Sequence, residues 1–99
     1  MADPMVWPVE AVFDGAVAVQ AVSTEVRPAN QRRADMELVN ISNQWIHLGR
    51  GNVAVMNEGI SLAPNGGTYH IGPDNLFKGV INAIAQGGDK ILTISEGYS

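Results

Sequence analysis

The sequence contains no cysteine. That excludes a disulfide scaffold, a thiolate metal site and a cysteine nucleophile, and leaves the redox compartment open. Charge is scarce as well: Asp, Glu, Lys and Arg make up 16% of residues, against ~25% in an average soluble domain. Positive charge is scarcer still. Six Lys and Arg stand against ten Asp and Glu, for a net charge of −4. No cationic excess is present to neutralise phosphates, so nucleic acid is not an expected partner. Long apolar runs are missing too. The longest, from Ala11 to Val22, is broken by Asp14, Gly15 and Gln20 and is too short to span a bilayer. The opening MADPMVWPVE has no Lys or Arg and is interrupted by Pro4 and Pro8, which is unlike a signal peptide. No membrane partner is expected.

What is present is enough for one domain. At 99 residues, such a chain buries roughly 64% of its unfolded surface, which supports one modest core. Pro4 and Pro8 fix φ and remove backbone donors, so residues 1–12 read as an extended arm ahead of a single domain at 13–99. Met5, Val6 and Trp7 are too apolar for a free tail and are expected to dock.

Beyond the arm, turn signals recur at short intervals. GAVAVQAV at 15–22 alternates valine with small residues and reads as a strand that Ser23 to Val26 continue. RPANQRR at 27–33 is a polar loop holding Arg27, Arg32 and Arg33, the main basic cluster. Residues 35–42 and 45–48 read as the two arms of a hairpin around Ser42-Asn43-Gln44. Short strands are expected at 53–56, 60–63 and 68–71, separated by Asn57-Glu58-Gly59 and by Pro64-Asn65-Gly66-Gly67. Leu76, Phe77, Val80, Ile81 and Ile84 fall at helical spacing. Gly79 and three β-branched residues within Val80 to Ile84 favour a turn at 76–78 and a strand at 79–85. KILTISE at 90–96 alternates cleanly. The whole predicts an all-β fold: an antiparallel β-sandwich, jelly-roll-like, or a small barrel, with seven to eight short strands.

Chemistry-bearing patterns are few, and an enzyme is not expected. Gly49-x-Gly51-x-x-Ala54 matches a dinucleotide fingerprint in form only, because no crossover helix fits before Gly59 and Pro64. His47 and His70, the only histidines, could be neighbours across a sheet, but two ligands do not make a metal site, and no metal or other cofactor is expected. No serine sits in a G-x-S-x-G elbow. Asp35 and Glu37 share one strand face, which suits a solvated edge. Asn40-Ile41-Ser42 matches the glycosylation sequon inside a predicted strand. The loop arginines are the polar groups best suited to an interface. The candidate contact set is Val6, Trp7, Trp45 and Phe77, with Arg32 and Arg33 at its rim.

The segments STEVRPAN, ELVNIS, WIHLGRG, GISLAPNGGTYHI, NLFKGVINAIAQGG and ILTISEG occur in that order. Over about residues 20–97 this succession resembles a recurring type of small tailed-bacteriophage virion protein. Such chains run from a STEV-PAN opening, through a G-I-x-L-A-P-x-G-G-x-Y turn, to G-x-(I/V)-x-A-I and L-T-(I/V)-x-E-G. The resemblance implies a structural role on the phage particle, with no catalytic residues. The first expectation is a capsid decoration or cement protein bridging subunits of the head, with the major capsid protein or other virion proteins as partners. The alternative is a tail or fibre module that binds a host glycan or protein, which an exposed Trp45, Tyr69 or Tyr98 beside Asn and Asp would favour. Low charge over 45% apolar composition implies apolar surface left on a monomer, hence self-association. A trimer is expected before a dimer, partly because capsid lattices and fibres offer three-fold positions.

Overall fold

The computed structural model describes residues 11–99. They form eight β-strands: β1 (Ala11–Val19), β2 (Thr24–Arg27), β3 (Arg33–Asn40), β4 (Ile46–Arg50), β5 (Ile60–Leu62), β6 (Gly67–Ile71), β7 (Ile81–Ala85) and β8 (Lys90–Tyr98). One sheet has the order β1-β8-β3-β6 and the other β2-β7-β4-β5. The antiparallel pairs β1–β8, β2–β7, β3–β6 and β4–β5 are nested one inside the next. A long hairpin of four strands out and four back, rolled so that its successive strand pairs alternate between sheets, gives this order; it is the jelly roll. The two sheets remain separate, so the architecture is a sandwich and not a closed barrel.

Alternation builds the core. The inward positions supply Val19, Met36, Leu38, Ile71, Leu92 and Ile94 from one sheet and Val26, Ile46, Leu48, Leu62, Ile81, Ala83 and Ala85 from the other, all buried. Stacked sheets stand ~10 Å apart, and these side chains fill that gap.

Several expectations change. β1 already includes Ala11 and Val12, so the first strand begins inside the segment read as an arm. The strand at 15–22 does not run on through Ser23: β1 ends at Val19, the chain crosses to the other sheet, and β2 begins at Thr24. The segments at 35–42 and 45–48 are not a hairpin. β3 pairs with β6 and β8, whereas β4 pairs with β5 and β7. Asn40 redirects the chain there: its fully buried carboxamide donates to Gln44 O at 2.7 Å and Leu62 O at 3.0 Å, and accepts from Ser42 N at 2.9 Å. The same bonds occupy the amide that a sequon would offer for glycosylation. Residues 53–56 form no strand; Val53 and Val55 are exposed in a loop. Between helix and strand for 76–85, the strand reading holds, with β7 at Ile81–Ala85. A short 3-10 turn spans Pro73–Asn75.

Candidate interaction surfaces

The contact residues proposed from sequence do not form one patch. Val6 and Trp7 lie outside the described residues. Arg33, expected at an interface rim, is buried at 1% exposure. Register shifts mark β-bulges between Arg33 and Asp35 on β3, and between Glu25 and Arg27 on β2. Each bulge adds a residue and reverses the alternation. Arg33 and Arg27, which simple alternation would put outside with Asp35 and Glu25, therefore turn inward. Both meet Glu96, which is wholly buried on β8. Arg33 Nε reaches one carboxylate oxygen at 2.5 Å and Arg27 Nη2 the other at 2.8 Å. Arg33 also donates to Phe77 O, Gly79 O and Pro28 O at 2.9–3.0 Å. The guanidinium thus ties three chain segments together and is unavailable to a partner. Arg27 also covers the Phe13 ring at 3.9 Å.

Phe77 is part of the fold as well. It packs on the core, and its ring fills the space beside Gly79 and Gly51. Arg32 and Trp45 remain exposed. They stand just before and a few residues after the eight-residue β3, which at ~3.3 Å per residue sets them at opposite ends of the sandwich. Arg32 Nε donates to Ser99 O.

Two surfaces do stand out. The first is the outer face of β1-β8-β3-β6. Register aligns Asp14, Ser95, Glu37 and His70 in one row across the sheet, and Ala16, Thr93, Val39 and Thr68 in the next. Beyond them, Ala18 pairs with Ile91, whose carbonyl accepts from Ile41 N. One end of the face is therefore acidic and the other uncharged, with Ile91 and Ile41 exposed there. None of these positions is Lys or Arg. Asp35 and Glu37 do share this face, but not at an edge: β3 lies between β8 and β6. Asp35 accepts from Gly97 N at 2.9 Å, and Glu37 lies 3.8 Å from His70 Nδ1.

The second is a cleft of about 330 Å³ on the other sheet, lined by Gln44, Trp45, His47, Met56, Asn57, Ser61 and Gln86. Trp45 and His47 point the same way by alternation about β4. Pairing of His47 with Ser61, and of Ile46 with Ala85, brings Ser61 and Gln86 alongside. His47 Nδ1 and Ser61 Oγ are hydrogen-bonded at 2.7 Å. Burial lowers the His47 pKa below its ordinary value, so the imidazole is neutral at pH 7. The loop at 51–59 forms the far wall. It is anchored by Gly51 N to Val80 O at 2.8 Å, Asn82 Nδ2 to Asn52 O at 2.7 Å and Ala54 N to Ser23 Oγ at 2.9 Å. Gly59 closes it at φ +79°, where an added Cβ would stand 2.2 Å from Leu48 O. A second hollow, of about 390 Å³, lies on the other side of this loop beside Arg50 and Glu58.

His47 and His70 sit in different sheets and are not neighbours. The Gly49-x-Gly51-x-x-Ala54 segment opens no helix: Gly49 and Arg50 end β4, and Gly51 turns the chain at φ +79°. Sequence reasoning singled out Trp45 and His47 but missed Gln44, Asn57, Ser61 and Gln86 as their companions. The Trp-x-His spacing was the usable signal; the others arrive through pairing and a loop wall. Comparisons with protein-family models, curated proteins and solved structures found no match to this chain.

Proposed function

We propose that this chain is a structural virion protein of a tailed phage that decorates the capsid and cements neighbouring subunits by contact, without chemistry. The observation that carries this reading is the outer face of β1-β8-β3-β6. A four-stranded sheet presents Ala16, Ala18, Val39, Ile91 and Thr93 and is nearly uncharged at one end. Interface centres are depleted in charge in the same way. The virion setting itself rests on the motif resemblance. The apolar segment around Val6 and Trp7 would add a second hold on the shell. A protein that binds only the assembled shell raises the free energy of disassembly by linkage.

The test uses the full chain and assembled shells lacking it, from the phage that encodes it. The chain is expected to co-sediment with shells but not with free capsid subunits, and to raise the temperature of shell disassembly. Ile91→Lys and Ala16→Lys should weaken attachment while leaving the fold intact. Failure of the wild-type chain to co-sediment would overturn the proposal.

A further inference from the structure

We propose that the cleft between Trp45 and the loop at 51–59 is a binding site for a neutral saccharide. The inference goes beyond the shell contact and stands whatever position the chain takes on a particle.

Four observations converge on this ligand class. Among the described residues the lining has no Asp, Glu, Lys or Arg, so neither an anion nor a cation is matched by them. A nucleotide phosphate would have no countercharge. Trp45, which lines the cleft, is 50% exposed among the described residues and offers an aromatic surface there. The cleft brings three carboxamides to one place, those of Gln44, Asn57 and Gln86, and none of these side chains has a hydrogen-bond partner among the described residues. Each carboxamide offers a donor and an acceptor side by side, a match for adjacent hydroxyls. Finally, the His47 ring is fixed through Nδ1 by Ser61, and Nε2 has no partner among the described residues.

A sugar ring has an apolar C–H face and a rim of hydroxyls. The face suits the indole of Trp45, and the rim suits the amides and the imidazole. The volume of about 330 Å³ lies at the low end of the ~300–1,000 Å³ range of small-molecule clefts. It accommodates a terminal residue of a glycan while the remainder of the chain extends into solvent. Position is set by paired strands: Trp45 and His47 flank Ile46 on β4, and Gln86 follows Ala85 on β7. Strand pairing presets the backbone positions of these residues, while ordering the exposed side chains adds to the cost of binding.

The experiment is a titration of the full chain, labelled with nitrogen-15, by neutral disaccharides built from glucose, galactose, mannose or N-acetylglucosamine. A uronic-acid disaccharide serves as the charged comparison. At least one neutral sugar is expected to shift the Trp45 indole signal and the side-chain amides of Gln44, Asn57 and Gln86, leaving the outer face of the other sheet unchanged. Trp45→Ala should weaken that binding about tenfold or more, which corresponds to ~1.4 kcal/mol. Gln86→Ala, on an exposed side chain, should weaken it several-fold and provides a second test if Trp45→Ala fails to fold. No shift with any neutral sugar up to tens of millimolar would overturn the proposal. So would shifts confined to another surface, preference for the charged sugar, or unchanged binding in both variants.

Discussion

Arg33 and Glu96 meet in the interior at 2.5 Å, both fully buried, because a bulge in β3 turns the arginine inward to face β8. A second bulge, in β2, does the same for Arg27 from the opposite sheet. One carboxylate thus holds two guanidiniums and joins the two layers at one end of the sandwich. Its surroundings are complete: no buried side-chain nitrogen or oxygen among the described residues lacks a hydrogen-bond partner.

Removing one partner of this cluster should be severe. Glu96→Gln leaves a buried guanidinium without its counter-ion and is expected to cost ~3–5 kcal/mol. Arg33→Met should cost at least as much, since Pro28, Phe77 and Gly79 also lose a donor to their carbonyls. The pair Arg33→Met with Glu96→Leu should cost less than the two single changes added together. Urea unfolding measures all three. A loss below ~1 kcal/mol for Glu96→Gln would place the pair among weak surface-type bridges.

Asn40 is the second buried polar anchor. Asn40→Ala frees the carbonyls of Gln44 and Leu62 and the Ser42 amide. At ~1–3 kcal/mol for each group that stays buried and unpaired, the total should be a large share of domain stability. Asn40→Asp should be worse than Asn40→Ala, because it sets a carboxylate against two carbonyls. Thermal unfolding of the two variants gives the order; Asp more stable than Ala would contradict it.

His47 predicts a pH dependence. Its folded-state pKa lies below the unfolded value near 6.5 because burial disfavours the imidazolium. Between the two values the unfolded chain binds the extra proton, so stability rises with pH. The contribution is fully present above pH ~6.5 and declines as pH falls below that toward the folded pKa. His47→Gln should flatten this part of the profile. Urea midpoints across that window, compared between wild type and variant, read the difference. Parallel profiles would assign the slope to other groups.

Much of the fold was legible in the sequence, and the reasons are specific. β8 alternates without interruption, Gly66-Gly67 and Gly87-Gly88 mark turns, and the β-branched residues of β7 outweigh its helical spacing. The hairpin at 35–48 was misread because a polar Ser-Asn-Gln turn has the same composition whether it joins neighbours or crosses between sheets. Only Asn40's reach to Leu62, 22 positions away, distinguishes them. The arginines were read as part of a polar loop at 27–33, whereas Arg27 ends β2 and Arg33 opens β3. A one-residue bulge, which leaves no compositional mark, then turns each of them inward. Of the cleft, Trp45 and His47 could be placed on one face from spacing alone. Ser61, Gln86 and Asn57 join them through long-range pairing and a folded-back loop.

The proposed attachment to a three-fold-rich lattice predicts self-association, a trimer before a dimer. With Arg33 and Phe77 used inside the fold, the contact must draw on other surface groups. Light scattering coupled to size exclusion is expected to give a multiple of the 10.5 kDa chain mass, three-fold first. A monomer at tens of micromolar would remove self-association from the proposal and leave only assembly on the shell.

The most direct measurement is the copy number of this chain in purified particles of the phage that encodes it, by quantitative mass spectrometry against the major capsid protein. Capsid decoration predicts hundreds of copies per particle, in a simple ratio to the capsid subunit. Tens of copies or fewer would assign the chain to a tail, fibre or vertex, and absence from purified particles would contradict a virion role altogether.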